Sequence, residues 1–260
     1  MQALSLENIH FGYKSGDEPA LDIGRLEIGS GERVALIGPS GAGKSTLLKL
    51  IDGRLRNWSG KAVVLGETIS SRRTPGRTFS RKIGFVFQEF ALIERQTVFE
   101  NVRNGRLGHL STARSVFGRL TPEDYKQILT AIEETGLQEL MHRRADELSG
   151  GQRQRVAIAR CLAQQPGMIL ADEPISNLDP VRAREILDLL VKVCELRQAT
   201  LIITTHQPML VRTYVDRIIA LSEGSVILDE ESSPASAAQV MAVYEEMADP
   251  LAAHNKPASV

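Results

Sequence analysis

The segment Gly38-Pro39-Ser40-Gly41-Ala42-Gly43-Lys44-Ser45 is the part of this chain best suited to chemistry. It fits G-x-x-x-x-G-K-[ST] at every fixed position. Glycines let the backbone curl so that successive N–H groups point inward at a polyphosphate. A helix beginning near Lys44 adds its positive N-terminal end. Lys44 brings a cation to the β- and γ-phosphates, Ser45 brings a hydroxyl ligand for Mg2+, and Thr46 completes the cradle. A chance match in a chain of this length is on the order of 1%, so the segment implies a nucleoside triphosphate site. Asp172 and Glu173 follow the apolar run Met168-Ile169-Leu170-Ala171. A carboxylate at the tip of a buried strand beside such a loop is placed to hold Mg2+, and its neighbour to orient an attacking water. Asp172 is therefore the expected metal partner and Glu173 the expected general base.

Leu148-Ser149-Gly150-Gly151-Gln152 is a second anion-ready helix start. Ser149 can cap, two glycines expose N–H groups, and a helix is expected over residues 152–162.

The elements that must position these residues are legible from periodicity. Leu4, Leu6 and Phe11 alternate with polar residues, as does Leu26-Glu27-Ile28, which implies half-buried strands. Ser15-Gly16-Asp17-Glu18-Pro19 is a turn-rich break between them. Apolar runs at residues 33–37, 62–65, 83–87, 168–171, 201–205 and 217–221 read as strands, the first of them of the buried parallel kind. Residues 226–228, after Glu223-Gly224-Ser225, close a hairpin. Between residues 99 and 165 the pattern turns helical: Tyr125, Ile128, Leu129 and Ile132 recur at helical spacing. Thr121 with Asp124 forms an acidic capping box, with Pro122 at the first helical position. Strands alternating with helices imply a parallel sheet. A last helix is expected near residues 237–247, followed by a fraying tail.

Composition excludes several alternatives. With 31 Lys+Arg against 32 Asp+Glu, no global basic field gathers nucleic acid or anionic lipid. The apolar runs fall far short of the roughly 20 residues needed to span a bilayer. Met1-Gln2-Ala3-Leu4 lacks a signal-peptide layout. Cys161 and Cys194 sit in apolar helical patterns and read as small core residues. His10, His109, His142 and His254 have no ligand partners at metal-binding spacing. Arg72, Arg73, Arg77, Arg81 and Lys82, with Phe79 as their one aromatic, read as a solvated basic loop.

Taken together, and in this order, the motifs resemble those of ABC-type ATPases, with Leu148-Ser149-Gly150-Gly151-Gln152 matching the family signature. Tyr13 lies where that family places an aromatic that stacks on adenine. Gln88 matches the glutamine that senses Mg2+ and the attacking water. Ser176-Asn177-Leu178-Asp179 matches the D-loop, with Asn177 where many relatives carry Ala, and His206 matches the switch histidine that contacts the γ-phosphate. The resemblance implies an α/β P-loop NTPase with a mixed parallel sheet core, an N-terminal antiparallel β-subdomain and an inserted helical subdomain. Residues 1–232 would form one ATPase domain, its core at 1–98 and 165–232 and its helical subdomain at 99–164, with residues 233–260 as helix and tail. It further implies ATP and Mg2+ as ligands, and a head-to-tail pair of copies in which the phosphate loop of one faces Ser149, Gly150, Gly151 and Gln152 of the other. Integral-membrane permease subunits would be driven by this pair on the cytoplasmic face of the inner membrane, fed by a periplasmic substrate-binding protein.

Two segments narrow the resemblance: Asn101-Val102-Arg103-Asn104-Gly105-Arg106-Leu107-Gly108, and Ser115-Val116-Phe117-Gly118-Arg119-Leu120-Thr121-Pro122-Glu123-Asp124. With His206-Gln207, where many relatives have His-Asp, they look like the ATP-binding subunit of phosphonate importers. An ATPase of amino-acid import, lipoprotein release or cell division stands as the alternative.

Overall fold

Alternating burial along Gln2–Phe11 (β1) and Leu21–Gly29 (β2) puts one face of each strand inside, which is what a half-covered antiparallel pair requires. The computed structural model describes residues 1–14, 18–110 and 119–248. Ser59–Val64 (β4) and Glu67–Ile69 (β5) complete a four-stranded antiparallel sheet in the order β2-β1-β4-β5. Residues 15–17 of the turn-rich break at 15–19 lie outside the described residues, as do Ser115 to Gly118 and the fraying tail beyond residue 248.

The second sheet has six strands. Arg33–Ile37 (β3), Ile83–Val86 (β6), Met168–Asp172 (β7), Thr200–Thr205 (β8), Arg217–Ser222 (β9) and Ser225–Glu231 (β10) lie in the order β10-β9-β3-β8-β7-β6. Five of these run parallel and β10 is the antiparallel edge. The hairpin from β9 to β10 turns at Glu223 (φ 48°) and Gly224 (φ 78°), two left-handed residues that match the twist of the strands.

The period of two decides the packing. Val34, Leu36, Met168, Leu170 and Ile202 enter one core with Lys44–Ile51 (α1) and the antiparallel sheet. Ala35, Ile37, Ile169, Ala171 and Ile203 enter the other. That second core takes in Val98–Asn104 (α3), Pro122–Glu134 (α4), Gly150–Ala163 (α5) and Pro180–Arg197 (α6). The helical pattern between β6 and β7 is thus seated on the far face of the parallel sheet. Thr121 and Asp124 form the expected capping box on α4, with Pro122 in its first turn.

The segment around Gly105 has a packing reason. A Cβ there would lie 2.1 Å from the Arg160 carbonyl oxygen, so only glycine lets the end of α3 press against α5. Arg106 then turns inward. Its side chain and that of Asp124 are each only 5% exposed, paired at 3.0 Å, and Arg106 also donates to the Ala163 carbonyl and to Gln165. One guanidinium therefore fastens the end of α3, the start of α4 and the end of α5.

Some expectations shift. The basic stretch is not simply a loop: Arg77–Lys82 (α2) is helical, with Phe79 buried, Lys82 paired to Glu67 at 2.7 Å and Arg77 donating to the Leu110 carbonyl. A buried aromatic with cations on the outer face makes one amphipathic turn, too short to register as a period. The strand expected at residues 62–65 ends at Val64, because Leu65 is left-handed (φ 49°) and opens a turn with Gly66. The helix expected from residue 152 begins at Gly150, because Ser149 and Gln152 form a capping box that sets the first turn two residues earlier. Among the described residues no helix is long and apolar enough to cross a membrane.

Candidate functional site

Parallel strands deliver their C-terminal ends to one edge, and there the ligand-ready loops collect. Ile37 pairs with Thr205, and Asp172 pairs with Thr204. The phosphate loop, the two carboxylates and His206 thereby leave the sheet side by side. Beside them lies a cleft of about 540 Å³ whose walls include Tyr13, residues 40–46, Glu173 and His206, with Asp172 just behind its wall, bonded to Ser45.

The loop bends as its glycines demand. Gly38 has φ 151°, and a Cβ there would stand 2.3 Å from the Leu221 carbonyl oxygen. Gly43 has φ 101°, and its Cβ would stand 2.6 Å from the Ala20 carbonyl oxygen. No side chain caps α1, so its first N–H groups remain available to an anion. Lys44 is 6% exposed, and its Nζ donates to the Gly38 carbonyl at 2.7 Å and the Pro39 carbonyl at 2.9 Å. Burial lowers the Lys44 pKa, while Glu173 and Asp172 pull it back up.

Ser45 Oγ donates to Asp172 Oδ1 at 3.2 Å. Thr204 Oγ1 donates to the same carboxylate oxygen at 2.7 Å and accepts the Glu173 backbone N–H at 2.9 Å. Glu173 is left-handed (φ 47°), a conformation uncommon for a residue with a side chain, and the Thr204 bond holds it. The Glu173 carboxylate reaches His206 Nε2 at 2.6 Å. Thr204 is fully buried, and the sequence reading missed it. Its signal was two threonines at the end of an otherwise apolar strand.

Tyr13 is 61% exposed, packs edge-on against Phe11 and shares a hydrogen bond between its hydroxyl and Thr46 Oγ1 at 3.0 Å. Gln88 stands exposed in the turn after β6 and does not line the cleft. Ser149, Gly150, Gly151 and Gln152 also lie outside it, at the start of α5, where Ser149 accepts from the Gln152 N–H and donates its own N–H to the Gln152 side chain. Asp179 caps α6, accepting from the Val181 and Arg182 N–H groups at 3.1 Å. Cys161 and Cys194 are buried free thiols that burial pushes up to about 12, inert core residues as their patterns implied. Among the described residues no group of three or more His, Cys, Asp or Glu side chains is placed to hold a metal ion.

The profile of the family described as "ABC transporter" matches residues 21–176. A second profile, an AAA domain of a putative AbiEii toxin from a type IV toxin–antitoxin system, matches only residues 142–212, too little of the chain to assign it. Among curated proteins the chain is similar to the phosphonates import ATP-binding protein PhnC 1 of Rhodopseudomonas palustris, 42% identical over 245 residues, covering 94% of this chain and 87% of that protein. Among solved structures it resembles cbiO1 of Clostridium perfringens, part of the ABC transporter complex cbiONQ, with a TM-score of 0.80 and 30% identity over 97% of this chain and 98% of the other. It also resembles the ATP-binding cassette MJ0796 in a dimeric post-hydrolysis state bound to ADP and Pi, with a TM-score of 0.72 and 34% identity over 88% and 99% of the two chains.

Proposed function

From the premise that this chain belongs to the ABC transporter family of ATP-binding proteins, we propose that it is the ATPase subunit of an importer that powers uptake of phosphonate or a related oxyanion. The observation that carries this reading is the near full-length match to a phosphonates import ATP-binding protein. The cleft supplies the chemistry. Residues 1–232 form the catalytic unit, with the helical subdomain 99–164 inserted in it and residues 233–260 as an appendage.

ATP binds with its phosphates against the N–H groups of residues 38–46 and the start of α1, and its adenine on Tyr13. Lys44 exchanges its loop carbonyls for the β- and γ-phosphates. Glu173 polarises a water, which attacks the γ-phosphorus in line. The new P–O bond forms as the bond to the β-phosphate oxygen breaks, ADP leaves, and the proton is released to solvent. His206, held against Glu173, hydrogen-bonds the γ-phosphate and keeps the base aimed. The residues present fit a magnesium ion. The Ser45 hydroxyl and Asp172 carboxylate are hard oxygen donors 3.2 Å apart beside the loop, few enough that phosphate and water oxygens would fill the remaining positions. Bound there, with Gln88 as the further ligand we assign to it, Mg2+ would offset charge on the β- and γ-phosphates.

The second half of the site comes from a second copy. A Cβ at Gly150 would meet nothing within 4 Å, so the N-terminus of α5 opens onto free space. Residues 149–152, which do not line this chain's own cleft, close the cleft of the other copy in a head-to-tail pair. The pair docks under a separate permease at the cytoplasmic face of the membrane, and a periplasmic binding protein delivers the cargo. Affinity purification in detergent tests the reading. A polytopic permease should come with this chain, and its ATPase should rise when a binding protein loaded with phosphonate is added. Stable capture on ribosomes or DNA with no permease would overturn it.

A further inference from the structure

The C-terminal helix Ala237–Ala248 (α8) reaches the catalytic edge. Val240 on it is buried, Val243, Tyr244 and Met247 pack on the core, and the helix lies against β9 and the short helix Pro208–Val211 (α7). The Tyr244 hydroxyl donates to the His206 carbonyl oxygen at 2.8 Å. We propose that Tyr244 is a positioning residue for ATP hydrolysis, acting through the backbone of His206, so that its hydroxyl, carried on α8, sets the aim of the histidine that contacts Glu173. This rests on the roles given above to His206 and Glu173.

The argument is mechanical. His206 directly follows the buried strand β8 and starts a loop with few fixings of its own: Gln207 N–H donates to Thr205 Oγ1 at 2.9 Å, and α7 follows at once. At the far end of that segment, Ser232 Oγ donates to the Arg212 carbonyl, and Arg212 donates to the Ser233 carbonyl at 3.2 Å. Ser233 and Ser236 exchange reciprocal bonds just ahead of α8. The stretch from 206 to 212 is therefore tied at both ends to the segment from 232 to 244. Without the Tyr244 bond the His206 carbonyl loses its tie to α8, while the distal end keeps its ties to residues 232–233. A carbonyl fixed at 2.8 Å also fixes the peptide plane from which the His206 ring departs toward Glu173. Burial, and secondarily Glu173, raise the Tyr244 pKa, which keeps the hydroxyl a donor.

Tyr244→Phe keeps the ring and removes the donor. The expected result is a kcat for ATP roughly fivefold lower, as loss of one net hydrogen bond predicts, with KM for ATP close to the parental value and Tm lower by no more than about 2–4 °C. Val240→Ala, which loosens the packing of α8 but keeps the hydroxyl, should lower Tm and leave kcat within about twofold. An unchanged kcat in Tyr244→Phe overturns the inference, as does a kcat loss in Val240→Ala equal to that in Tyr244→Phe. If Glu173→Gln hydrolyses ATP at the parental rate, the site reading itself fails. If that variant is inactive, a silent Tyr244→Phe defeats this inference alone.

Discussion

Single side chains at the cleft are held by one another more than by the sheet. Thr204 is the clearest case: one buried hydroxyl donates to Asp172 and accepts from the Glu173 backbone, so it orients both carboxylates at once. Thr204→Val conserves volume and removes both bonds, leaving Asp172 short of a donor and the left-handed Glu173 without its tether. We expect ATPase activity to fall roughly tenfold, about 1.4 kcal/mol, and Thr204→Ser, which keeps the hydroxyl, to restore most of it. A Val variant at the parental steady-state rate would remove Thr204 from the account. The motif residues around it were legible because their types are dictated by chemistry. Thr204 was not, because a threonine in a strand is ordinary until its neighbours in space are known.

At the scale of elements, the interleaving of strands and helices was readable where apolar runs were continuous. Residues 33–37 and 168–171 correspond to the buried strands β3 and β7. The antiparallel sheet was less legible: β5, of three residues, carries too few positions for a period, and only its pairing with β4 reveals it. The helix α2 escaped for the same reason, with one buried residue, Phe79, in a basic stretch. Asp124 was legible as a cap but not as half of a buried ion pair, since its partner Arg106 is distant in sequence. Burial raises the Asp124 pKa, but the Thr121 hydrogen bonds and Arg106 outweigh it and hold the pKa below the usual value. The stabilisation is therefore present above the ordinary carboxylate pKa and is lost as pH falls through the lower folded value. Asp124→Asn strands a buried guanidinium and should cost about 3–5 kcal/mol, read as a lower urea midpoint at neutral pH. The gap from the parent should narrow as pH drops below about 4. A midpoint unchanged at neutral pH would show that the pair does not hold the helical arm.

Across the whole molecule, the near balance of 31 basic and 32 acidic side chains leaves the attraction for a polyphosphate to local features. These are the glycine-bent loop, Lys44 and the open start of α1 at one end, and the start of α5 at the other. In the proposed head-to-tail pair, the two helix starts that meet at one ATP come from different copies, so that one chain would be half an engine. Glu173→Gln tests this most directly, because it removes the base and leaves both binding surfaces intact. Purified Glu173→Gln, run by size exclusion with light scattering and assayed for phosphate release, should be monomeric with Mg-ADP. It should be dimeric with Mg-ATP and hydrolyse ATP at least roughly a hundredfold more slowly than the parent. A variant that stays monomeric at saturating Mg-ATP, or that hydrolyses it at the parental rate, would contradict the account.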